Sequence, residues 1–108
     1  MSEKVAFSEE TGTKQRDEQT PLYNTILLDD DEHSYEYVIE MLQKLFFCTE
    51  SAAYQHAVEV DTTGRTIVMT CELEQAEFAR RQIQSYGADW RQPQSKGSMS
   101  AIVEPAAQ

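Results

Sequence analysis

The residues of this chain that can do chemistry sit at one corner of it. Asp29-Asp30-Asp31 follows directly on the strand-like run Tyr23–Leu28, and a helical pattern begins at Ser34. One carboxylate is enough to favour a helix N-terminus. Three in a row repel one another, and a concentrated negative spot beside apolar residues suits an amine or a small cation. The plainer reading is a solvated acidic turn. An ammonium group offers three donors and one positive charge, so it needs acceptors converging from several sides. Apolar walls strengthen that pairing, provided the charges are neutralised. Other chemistry fits worse. The acids lack the alternate-residue spacing and the Gly of a calcium loop, and His33 and His56 share no metal-ligand motif. No nucleophile–base set, phosphate loop or cofactor motif is present, so the expectation is a binding protein, not an enzyme, without a cofactor or metal.

The elements that must position this corner follow from periodicity. In Tyr23–Leu28, Asn24, Ile26 and Leu28 point one way and Tyr23, Thr25 and Leu27 the other. Tyr35, Val38, Ile39, Leu42, Leu45 and Phe46 make one helical stripe, with Asp31, His33 or Ser34 as N-cap. Thr49 caps a second helix with Ala53, Ala57 and Val60 on one face, and Gly64 stops it. Arg65–Cys71 alternates as a β-branched strand. A third helix runs from about Glu74 with Ala76, Ala79, Ile83 and Tyr86 inward, and Gly87 is its stop. A loop over 88–97 carries Trp90, which either covers an edge or meets a partner. Ser98–Val103 alternates as the closing strand, ended by Pro105. The expected fold is α+β: a two-layer domain with a three-stranded antiparallel sheet and three helices, in the order β-α-α-β-α-β.

Length and charge bound the rest. At 108 residues the chain is long enough for one domain with its own core. Residues 1–20 are polar and without period, and read as a disordered arm; the domain proper is 21–108. The chain carries 19 acids against 9 Lys and Arg, a formal charge of −10, so nucleic acid and anionic membranes are poor partners. Cys48 and Cys71 make no metal spacing and read as buried thiols of a reducing compartment, with one disulfide as the alternative. No secretory or membrane-spanning run is visible, which makes the cytoplasm the expected location.

In order along the chain, the sequence resembles the ClpS family, adaptors of bacterial ATP-dependent Clp proteases. The resemblance is carried by Tyr23-x-x-Ile26-Leu27-Leu28-x-Asp30-Asp31, by Glu36-Tyr37-Val38-Ile39-x-x-Leu42-Gln43-Lys44-x-Phe46, and by Ala53, Val60, Thr63-Gly64-Arg65 and Glu74-x-Ala76-Glu77. It spans roughly 21–104 without large gaps. It implies an adaptor that recognises the free N-terminal residue of a substrate, an N-degron, and hands the substrate to a Clp-type AAA+ unfoldase of the ClpA or ClpC class. By the same resemblance Asp29, Asp31 and Asp61 fall where the family holds the α-amino group. Leu28, His33, Tyr35, Val38, Ala57 and Val60 fall where it forms the side-chain pocket. Glu74, with Ala79 at the family's Lys position and Arg80 beside it, falls on the unfoldase-facing surface. A monomer is expected.

Where the family has Asn and His, this chain has Asp29 and Asp61, which keep acceptors but add charge. Two pocket positions usually Met are Tyr35, which narrows one side, and Ala57, which opens another. The competing expectation is an interaction module that keeps the fold and binds an unfoldase or another partner without reading an amine.

Overall fold

The computed structural model describes residues 20–107; the arm expected over 1–20 lies, but for Thr20, outside them. The elements are β1 (Tyr23–Leu28), α1 (Tyr35–Phe46), α2 (Glu50–Thr63), β2 (Arg65–Cys71), α3 (Leu73–Gln84) and β3 (Ala101–Pro105). The order is the β-α-α-β-α-β read from the sequence. The sheet order is β2-β1-β3, antiparallel throughout, so the strand that leads into the acids is the central one.

Alternation along β1 sends Thr25 and Leu27 to the helical layer. Thr25 Oγ1 donates to the Ala76 carbonyl of α3 at 2.8 Å, and Leu27 joins the core with Val38, Met41, Leu42, Ala57 and Ile83. Against β2 the register shifts between Thr25 and Ile26, which face Met69 and Ile67. The extra residue of this bulge bends the strand pair and increases its twist. β3 is the regular partner, pairing with β1 without a shift from Tyr23 opposite Pro105 to Leu27 opposite Ala101. It begins at Ala101 rather than at Ser98 and runs through Pro105, which an edge strand tolerates.

The cap signals in the sequence hold. Ser34 Oγ accepts from Tyr37 N at the start of α1, and Thr49 Oγ1 accepts from Ala52 N at the start of α2. Gly64 ends α2 at φ 93, where a Cβ would be strained. The buried arc of α1 is wider than one stripe and rotated from it. Tyr37, Val38, Met41 and Leu42 are buried while Tyr35 is not, because α1 packs on α2 along one side and closes on the core of Leu27, Ile83 and Met99 along another. Tyr37, outside the expected stripe, donates from its hydroxyl to the Gly87 carbonyl at 2.6 Å and lies edge-on to Tyr86. α3 ends at Gln84, three residues before Gly87. Cys48 and Cys71 are free and half-buried, not buried. Trp90 is 81% exposed, with the Arg91 guanidinium 4.5 Å from its ring centre.

Candidate functional site

Three turns converge beyond the end of β1. The turn 29–34 leaves the central strand, the C-terminus of α2 comes in at Asp61, and the loop 88–100 crosses in front of α1. The Asp29 amide donates to the Gly64 carbonyl at 3.0 Å, which ties the first turn to the cap of α2. On the other side Leu28 N donates to Ser100 O at 3.0 Å. Glycine at 64 matters here because the cap directs its carbonyl toward Asp29.

A small cavity of about 40 Å³ lies at this junction, lined by Asp29, Asp30, His33, Ser34, Tyr35, Val38, Ala57, Val60, Asp61 and Met99. Its lining combines the carboxylates of Asp29, Asp30 and Asp61 with the buried side chains of Val38, Ala57, Val60 and Met99. Of the positions that the family resemblance implied, Asp29, Asp61, His33, Tyr35, Val38, Ala57 and Val60 meet there. Leu28 and Asp31 do not line it. Leu28 follows Leu27 on an alternating strand, so it faces away from the helical layer. Past β1 the alternation ends. The Asp31 side chain is exposed, and it is Asp30 that turns into the site.

His33 fixes that turn. Its side chain is 2% exposed; Nδ1 lies 2.7 and 2.9 Å from the two carboxylate oxygens of Asp30, and Nε2 donates to the Gly97 carbonyl at 2.7 Å. A carbonyl oxygen can only accept, so Nε2 carries a proton. The Glu32 amide also donates to Asp30 Oδ1, at 2.9 Å. His33 thus joins the acidic turn to the far loop, with the Tyr37 ring 4.4 Å from its own.

Asp89 is a member of this assembly that sequence reasoning passed over. It is buried, and its carboxylate accepts from Ser34 N at 2.7 Å, Ser34 Oγ at 2.8 Å and Arg91 N at 3.1 Å. Burial alone would raise its pKa, but the hydrogen bonds from Ser34 and Arg91 outweigh it and hold the carboxyl below its ordinary value. Asp29 moves the other way. Desolvation, then the charges of Asp61, Asp30 and Asp31, raise its pKa against one relieving backbone hydrogen bond from Asp30. Charge at Asp29 is therefore less favourable than on a free carboxyl, and a cation beside it would offset the repulsion. Tyr35 donates from its hydroxyl to Asp61 Oδ2 at 2.7 Å, and its own pKa is raised by that bond.

Among the described residues, no group of three His, Cys, Asp or Glu side chains is arranged to hold a metal ion, and no helix is long and apolar enough to cross a membrane. A larger concavity, about 790 Å³, lies apart from the site. It is an apolar groove between the end of α1, β2 and α3, lined among others by Phe46, Phe47, Met69, Cys71, Glu74 and Phe78. Glu74 borders it. Arg80 does not, and pairs instead with Glu77 at 2.7 Å.

The family model for the ATP-dependent Clp protease adaptor protein ClpS matches residues 18–94. The chain belongs to the ClpS family. An ATP-dependent Clp protease adapter protein ClpS from Synechococcus sp. is 36% identical over 81 residues, covering 74% of this chain and 87% of that protein. One from Synechococcus elongatus is 37% identical over 79 residues, covering 72% and 81%. The structure of Agrobacterium tumefaciens ClpS2 bound to L-phenylalaninamide superposes with a TM-score of 0.68 at 23% identity, covering 80% of this chain and 98% of that one. That structure shares the fold of this chain; the family match and the Synechococcus relatives are what place it among the Clp protease adaptors.

Proposed function

We propose that this ClpS-family adaptor binds the free N-terminal residue of substrate proteins and delivers them to a Clp AAA+ unfoldase in the cytoplasm. The observation that carries the reading is the cavity in which Asp29, Asp30 and Asp61 face Val38, Ala57, Val60 and Met99. An ammonium answers the carboxylates, and an apolar side chain answers the rest. Asp30 is already engaged by His33, which leaves Asp29 and Asp61 to the ammonium; the raised pKa of Asp29 means that its charge gains most when a cation arrives. The phenylalaninamide ligand of the Agrobacterium relative has the same two chemical features, a free α-amine and an apolar side chain.

For the unfoldase, of the ClpA or ClpC class, we propose docking along α3. Glu74 at the rim of the apolar groove supports that reading, while Arg80 is held by Glu77. The adaptor acts as a monomer in this scheme, and the arm 1–20 contributes to delivery and not to amine binding.

One observation favours the competing interaction module: Asp61 already has a donor, the Tyr35 hydroxyl. Reconstituted proteolysis separates the two. With a Clp unfoldase and its peptidase, the adaptor should speed degradation of a reporter that exposes Phe or Leu at its first position. The same reporter blocked by acetylation should be unaffected. Equal stimulation of both, or of neither, would favour the module.

A further inference from the structure

Tyr35 is the first residue of α1 and Asp61 lies in the last turn of α2, so their hydrogen bond spans the mouth of the cavity between two helices. The donor is a phenol, and the acceptor is a carboxylate that an N-terminal ammonium would use. The volume left beneath is about 40 Å³. That is room for roughly three waters, and too little for a Leu or Phe side chain. The Tyr35 ring is 36% exposed, so packing does not fix it, and the exposed Tyr54 ring stands edge-on at 6.1 Å.

Building on the amine-binding reading, we propose that Tyr35 is a latch. Its hydroxyl occupies Asp61 in the unliganded protein; an N-terminal ammonium displaces it, and the ring swings toward Tyr54 to open the pocket. Asp61 then has a donor both before and after binding. Only the unlatched fraction binds, so the latch lowers the apparent affinity of every ligand by the same factor.

The test compares wild type with Tyr35→Phe, which removes the hydroxyl and keeps the ring. Peptides beginning with Phe, Leu or Ala are titrated with free and acetylated N-termini, while tyrosine near-ultraviolet absorption is followed and thermal unfolding confirms that both proteins fold. Tyr35→Phe should bind the free-amine peptides about fivefold to tenfold tighter. Wild type should show a tyrosine spectral shift on binding that the variant lacks. Equal or weaker binding by the variant, or no spectral difference between the two, overturns the latch; acetylation-sensitive binding by wild type would leave the amine reading standing. Failure of both proteins to bind any free-amine peptide overturns the amine reading and the latch together.

Discussion

Replacing Asp89 with alanine should loosen the corner on which the site is built, and the loss can be worked out from its hydrogen bonds. The carboxylate accepts from Ser34 N and Ser34 Oγ at 2.7 and 2.8 Å, and from Arg91 N and Nη1 at 3.1 and 3.3 Å. Hydrogen bonds to a charged group contribute about 1.5–3 kcal/mol each when well formed. The two Ser34 bonds are short, whereas the Arg91 guanidinium is partly exposed and also paired with Glu40 at 3.0 Å, so its share is small. Counting chiefly the Ser34 pair, and allowing water to reach the vacated donors, gives about 3 kcal/mol for Asp89→Ala at pH 7. That is a large part of the roughly 5–15 kcal/mol that holds a domain together. With a urea slope near 1 kcal/mol/M for a domain of this size, the midpoint should fall by roughly 2–3 M.

The pH dependence has a definite sign. The folded pKa of Asp89 is depressed, so its contribution is fully present above the unfolded carboxylate value and is lost as pH falls through the folded one. The penalty of Asp89→Ala should therefore shrink between pH 7 and pH 3. Urea melts of both proteins at the two pH values measure this. A penalty under about 1 kcal/mol at pH 7, or one that is the same at both, would refute the reasoning.

Three further outcomes follow from the same geometry. Gly64→Ala should lower stability by about 1 kcal/mol, because φ 93 is strained for any Cβ even though nothing lies within 4 Å of it; thermal or urea melts read this directly. Amine binding should weaken as pH falls through the raised pKa of Asp29, since the ammonium pairs with the carboxylate and not with the acid; fluorescence titrations from pH 8 to pH 4 follow it, and Asp29→Asn should flatten the profile. Thr25→Val removes the buried hydrogen bond to Ala76 and should cost about 1 kcal/mol in a urea melt while leaving peptide affinity within twofold.

The architecture was legible because each element is punctuated by chemistry that acts locally. Ser34, Thr49 and Gly64 are capping residues whose hydrogen bonds and dihedral angles need only their near neighbours. The corner itself was legible in outline, since a strand that runs into acids just before a helix start must bring carboxylates close to the apolar face of that helix. Three details were not. Asp30 rather than Asp31 faces the cavity because Asp30 is bound by His33, whose other nitrogen is held by Gly97, 64 residues away in the chain. Asp89 lies in a loop without periodicity, and its burial depends on Ser34 arriving from the far side of the fold. The buried arc of α1 includes Tyr37 because Gly87 and Tyr86 meet it there, a contact no helical period encodes.

The central claim, that the carboxylates beyond β1 hold an N-terminal amine, is tested most directly by calorimetric titration of two peptides. They share one sequence headed by Phe and differ only in acetylation of the first residue. Heat of binding with the free-amine peptide and none with its acetylated twin is the predicted result. Indistinguishable titrations from the two peptides would contradict the account.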